Sequence, residues 1–103
     1  MNNQKTTLDA VLEIQDHTKH ICEVYRSEVK SGNKSPWLDV AMMEGARLTT
    51  RAADILQRLV NTPDDVTAYT ARNAIETRNN IAKIRRMMDD MFCNPNEKTE
   101  FTG

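Results

Sequence analysis

The side chains best suited to chemistry are Asp9, Glu13, Asp16, His17 and His20, close together near the start of the sequence. Glu13 and His17 are four apart, Asp16 and His20 are four apart, and His17 and His20 are three apart. On a helix, side chains at these spacings share a face. Imidazoles and carboxylates on one face can hold a divalent metal. A di-iron carboxylate bundle asks for more: Glu-x-x-His on two helices and a glutamate from each of two others. Here Asp16 stands at the step after Glu13 where histidine is required, and Glu44 and Glu76 have no paired histidine. The set therefore reads as a solvated helix face, and no metal or cofactor is assigned.

Nucleophilic chemistry has less support. Cys22 falls on an apolar helical face, whereas His17 and His20 lie on the outer side of the same segment. Cys93 follows a predicted helix end, where the negative end of the dipole disfavours a thiolate. The three glycines, Gly32, Gly45 and Gly103, form no phosphate-binding loop. No catalytic residue is assigned, and the chain is not expected to be an enzyme.

Charge narrows the binding functions. Fourteen Lys and Arg against fifteen Asp and Glu give a net charge of −1. That argues against a broad electrostatic grip on nucleic acid. Local stripes remain: Arg47, Arg51 and Arg58 on one segment, and Lys83, Arg85 and Arg86 on another. Glu44, Asp54, Asp89 and Asp90 interrupt them. A nucleic-acid-binding regulator using these stripes is the alternative function.

The elements that must position these residues are set by Ser35-Pro36 and Thr62-Pro63. A Ser or Thr can cap a helix N-terminus, and a following proline suits the first turn. Apolar residues at helical spacing then predict helices over 7–31, 36–60 and 63–92. Residues 1–6 and 94–103 are polar and are expected to be disordered, leaving one helical domain over 7–93. Short links between long helices force antiparallel neighbours. The fold expected is all-α, an up-down-up antiparallel three-helix bundle. Its middle should gather Thr18, Thr49, Thr70, Asn73, Thr77 and Asn80, with hydroxyls bonded to one another or to carbonyls. Cys22 and Cys93 should lie too far apart for a disulfide. With no signal-like or spanning apolar run, a cytoplasmic protein is expected.

Two surfaces of this bundle carry more than packing. Trp37, Val40, Met43, Met87, Met88, Met91 and Phe92 should meet at one pole. Methionine adapts to irregular partners, so this pole is a candidate docking patch. Ala68, Ala71, Ile75 and Ala82 form a stripe on the third helix. Small residues at such spacing admit a second helix closely, so a homodimer completing the bundle is the expected use. The function expected is that of a small non-enzymatic helical protein that binds another protein as adaptor, regulator or inhibitor. Accessory proteins of phages and plasmids have this general character.

Overall fold

The computed structural model describes residues 2–92. They form three α-helices and one short turn of 3₁₀-helix, with no strand among the described residues. The helices are α1 (Asn3–Lys30), α2 (Pro36–Asn61) and α3 (Ala68–Phe92). Cys93 and the predicted tail 94–103 lie outside the described residues, as does the expected distance between the two cysteines. No helix among the described residues is long and apolar enough to cross a membrane.

Residues 3–6 are helical, not disordered as expected. Asn2 is the cap: its side-chain Oδ1 accepts from the Lys5 backbone N–H at 3.1 Å. Asparagine caps as well as serine does. The added turn is anchored further along, where the Gln4 side-chain amide donates to the Pro63 carbonyl at 2.8 Å. Thr7 is fully buried, its hydroxyl satisfied by the Asn3 carbonyl at 2.7 Å.

The α1 end is closed by two backbone bonds, Asn33 N–H to Glu28 O at 2.9 Å and Gly32 N–H to Val29 O at 3.0 Å. This pairing needs a left-handed residue between helix and exit, and Gly32 supplies it at φ +87. Pro36 then opens α2 at its first position, but the Ser35 hydroxyl makes no cap bond. Instead, the Ser35 backbone N–H donates to the Asn33 side chain at 2.8 Å.

The third helix begins five residues later than the proline predicts. Pro63–Asp65 is a single 3₁₀ turn, and α3 starts at Ala68. The reason is a second, better-placed threonine. The Thr70 N–H donates to the Thr67 hydroxyl oxygen at 3.3 Å. The Thr62 hydroxyl points back, donating to the Arg58 carbonyl at 3.1 Å. Val66, between the two turns, is buried and pins the link to the core.

The core is one cluster drawn from all three helices: Ile14, Ile21 and Val24 of α1, Leu38, Ala41, Leu48 and Ala52 of α2, and Ile81 and Met88 of α3. Each large aliphatic side chain buried here contributes about 1.5–3 kcal/mol relative to its exposed state. Moving up α1, partner numbers on α2 fall: Thr18 meets Thr49 at 2.8 Å, and Tyr25 Oη meets Asp39 at 3.2 Å. Partner numbers on α3 rise: Glu13 meets Arg78 at 3.2 Å, and His20 meets Asp89 at 2.6 Å. The most extensive packing is between α1 and α3, and α2 and α3 touch least.

The central hydroxyls bond as expected, though not all in one layer. Thr18 reaches the Ile14 carbonyl at 2.9 Å, and Thr49 reaches the Gly45 carbonyl at 2.7 Å. Each hydroxyl has one proton, so one of the two donates along its own helix while the other donates across. Thr77 is buried on the Asn73 carbonyl at 2.8 Å, whereas Asn80 is exposed.

Gly45 sits buried where α1 and α2 meet. A Cβ built there would lie 3.6 Å from Ile21 Cγ2, an ordinary contact. Helix-interior glycine costs roughly 0.5–1 kcal/mol relative to alanine. Gly45→Ala is therefore expected to raise the thermal midpoint by several degrees. A lowered midpoint would show that α1 and α2 are closer than this spacing.

Candidate functional site

Glu13, Asp16, His17 and His20 of α1 face α3 and are engaged there, whereas Asp9 is exposed. Arg78 Nη1 lies 3.2 Å from Glu13, and Arg85 Nη1 lies 3.5 Å from Asp16. Arg85 also donates to His17 Nδ1 at 3.0 Å. A guanidinium has no acceptor, so Nδ1 accepts and the imidazole is neutral in this arrangement. His20 Nε2 contacts Asp89 at 2.6 Å. The seam is a row of ion pairs and hydrogen bonds between two packed helices. Among the described residues, no three of the His, Cys, Asp and Glu side chains gather as a metal-holding group.

The His17 pKa is pushed below its ordinary 6.5, first by burial and then by the Arg85 charge, with Asp16 and Glu13 opposing. The unfolded chain then binds the extra proton first. As pH falls from 6.5 towards the lower folded value, the contribution of neutral His17 to stability is lost. A proton titration followed by NMR should place His17 below 6.5, and Arg85→Gln should move it upward. A His17 midpoint unaffected by that substitution would contradict the contact.

The arginines assigned to nucleic acid divide into tied and free. Arg85 belongs to the seam and is not available as expected. Arg47 is paired with Glu44 at 2.9 Å. Arg51 and Arg58 make no ion pair among the described residues. They line one cleft of about 390 Å³ between α2 and α3, with Asp54, Ile55, Tyr69, Thr70 and Asn73. Lys83 and Arg86 are exposed elsewhere on α3.

By helical periodicity, the walls of that cleft extend along α2 and α3 as a groove. At 100° per residue, Trp37, Val40, Glu44, Arg51, Ile55 and Arg58 fall within a sector of about 60° on α2. Tyr69, Asn73, Asn80, Ile84, Met87 and Met91 fall within a matching sector of about 60° on α3. Arg51, Ile55 and Arg58 share a cleft with Tyr69 and Asn73, so the two sectors face one another. One end of the groove is charged, with Arg51, Arg58 and Asp54 in the cleft and exposed Glu76 beside them on α3, and the other is apolar.

The apolar end holds most of the expected docking patch. Trp37 is 59% exposed and Met43 72%, and Val40, Met87 and Met91 are also exposed. Met43 lies beside the groove on the outer face of α2. Met88 does not belong to this surface: it is fully buried within the core cluster. Phe92 is half-buried and packs against the same cluster. The spacing of Ala74, Thr77 and Ile81 already places Met88 and Met91 on the inner face of α3, but only Met88 is buried there, and Met91 stands at its edge.

The small-residue stripe of α3 is less open than expected. Ala71 is buried, Ile75 and Ala82 are half-buried, and only Ala68 is exposed. The stripe runs along the α1 side of α3, close to Arg78 and Arg85, and part of it is consumed by packing within the chain. Tyr69, 66% exposed and lining the cleft, was missed. Its signal was its position seven and eleven residues before Glu76 and Asn80, on the face that continues to Met87. Tyr25 closes the top of the α1–α2 contact, and its phenol pKa is raised above 10.0 by the hydrogen bond to Asp39 and by that carboxylate's charge. No protein-family model, no curated protein and no solved structure matches this chain.

Proposed function

We propose that this chain is a non-enzymatic helical protein of the cytoplasm that binds another protein as an adaptor, regulator or inhibitor, in the manner of phage or plasmid accessory proteins. One observation carries this reading. Of the ten large hydrophobic side chains exposed among the described residues, six are Val29, Trp37, Val40, Met43, Met87 and Met91. An up-down-up arrangement, with α2 antiparallel to α1 and α3, brings all six to one end. The falling and rising partner numbers along α1 support that arrangement. A concentration of flexible thioethers around an exposed indole suits a protein contact.

A photoreactive residue at position 43 tests it. In source cells it should yield one discrete protein adduct. The same residue at position 19, an exposed site on the outer face of α1, should yield none. Equal adducts from both positions, or none from position 43, would overturn the reading.

Nucleic-acid binding is the second reading, favoured by unpaired Arg51 and Arg58 beside exposed Tyr69. Tight, steeply salt-dependent retention on nucleic acid would put it first. Homodimerisation through the stripe of Ala68, Ala71, Ile75 and Ala82, of which Ala71 is buried within the chain, is a separate proposal. It predicts a dimer mass by light scattering that Ile75→Glu reduces to that of the monomer.

A further inference from the structure

The charges of α2 are segregated. Glu44, Arg47, Arg51, Asp54 and Arg58 fall within a sector of about 80°. Arg51, Asp54 and Arg58 line the cleft between α2 and α3, so this sector is the α3 side. The α1 side carries a stripe of a different kind. Met42, Ala46, Thr49, Ala53, Leu56 and Val60 also fall within about 80°, at alternating four- and three-residue steps. No charge interrupts that stripe over about 27 Å. It is not the core stripe, which is Leu38, Ala41, Gly45, Leu48 and Ala52. Ala46, Ala53 and Val60 are exposed, and Met42, Thr49 and Leu56 are half-buried. A depression of about 310 Å³ opens along it between α1 and α2, lined by Cys22, Met42, Ala46, Thr49 and Thr50 among others, none of them charged. On α1 the wall runs through Leu8, Gln15 and Cys22, seven apart, with Leu8 exposed.

We infer that a second copy of this chain packs its own α1–α2 face against this one, with the two α2 helices antiparallel. The two helical hairpins then close a four-helix bundle, with each α3 outside it. Three features select that occupant. Sustained four-three spacing is the seam of helix-on-helix packing. That spacing reads the same in either direction, so an antiparallel copy sets Met42 opposite Val60, Ala46 opposite Leu56 and Thr49 opposite Ala53. Each layer pairs a larger side chain with a smaller one, which lets two identical surfaces interlock about a two-fold axis. The face is about 27 Å long and two helices wide, on the order of 500 Å² in projection. Side-chain relief brings its accessible area near the roughly 800 Å² per partner of a stable interface. Lys19, Glu23 and Arg26 are exposed on α1 outside that wall, at the rim, where interface charges usually stand. The face is separate from the α3 stripe, and it lies on the side of α2 away from Trp37 and Val40.

Light scattering on the purified chain should give twice the mass of one chain. Ala53→Glu and Thr50→Glu place a carboxylate at exposed positions of the face. Each should give the monomer mass, with circular dichroism showing the helices intact. Ile75→Glu should leave this dimer unchanged. A short bismaleimide should join two chains through Thr50→Cys in a Cys22→Ser, Cys93→Ser background. Antiparallel copies bring position 50 within about 3 Å of its equivalent along the axis. Gln57→Cys should not be joined, because its equivalents lie about 18 Å apart. A monomeric parent, a dimer that survives both glutamate variants, a dimer lost on Ile75→Glu, or equal joining at positions 50 and 57 overturns the inference. The position-43 adduct tests the contact at the pole independently of all four outcomes.

Discussion

Met88→Lys is expected to lower the thermal midpoint by about 15 °C or more, while Met91→Lys leaves it nearly unchanged. The two positions are three residues apart on α3 and were indistinguishable as members of a methionine cluster. Met88 is fully buried among Leu38, Ala41, Ile81 and their neighbours. A lysine there loses the thioether packing and places an ammonium in an apolar site without a partner. Changes of that kind cost about 4 kcal/mol or more. A domain of this size has about 5–15 kcal/mol in total, so at least about a quarter of its stability is removed. Met91 is 39% exposed, and a lysine there can extend its head into water along an apolar stem. Thermal unfolding followed by circular dichroism separates the two. Similar midpoints for both variants would mean that α3 is rotated about its axis relative to this packing.

Trp37→Ala has the second largest expected effect, and on binding rather than folding. The indole is 59% exposed at the first turn of α2, so truncation removes little core contact and should shift the thermal midpoint by only a few degrees. In an interface, a tryptophan of this kind is the usual anchor, and its loss costs about 2–4 kcal/mol. That corresponds to a fall in affinity of roughly thirty-fold to a thousand-fold. The measurement is titration of the partner captured at position 43. If Trp37→Ala binds that partner as tightly as the parent does, the contact lies outside the groove.

Much of the architecture is legible in the residues, because long apolar stripes admit few alternatives. The α2 stripe Leu38, Ala41, Gly45, Leu48 and Ala52 is buried throughout. Boundaries are less legible, because several residues compete to cap. Thr62-Pro63 has the composition of a helix start, yet Thr67 supplies the bond and the proline opens only a 3₁₀ turn. Asn2 supplies a cap that a polar, frayed-looking N-terminus disguises. The groove is the least legible feature. Arg51 and Tyr69 are far apart in sequence and line one cleft only because α2 and α3 stand side by side. Ion pairing also hides from composition, since Arg85 and Arg51 look alike until Asp16 and His17 are found against one of them.

The unequal packing of the three helices has a kinetic consequence. α1 is held closely against α3 by the core and by the row of Arg, His and carboxylate contacts, whereas α2 and α3 touch least. Proteins open first where buried contact is sparse. Amide hydrogen exchange should therefore be slowest in α1 and in the half of α3 that faces it. The α2 amides should exchange through a partial opening that leaves the other two helices paired. The groove then has one fixed wall and one wall that breathes, and its width is set in part by whatever occupies it.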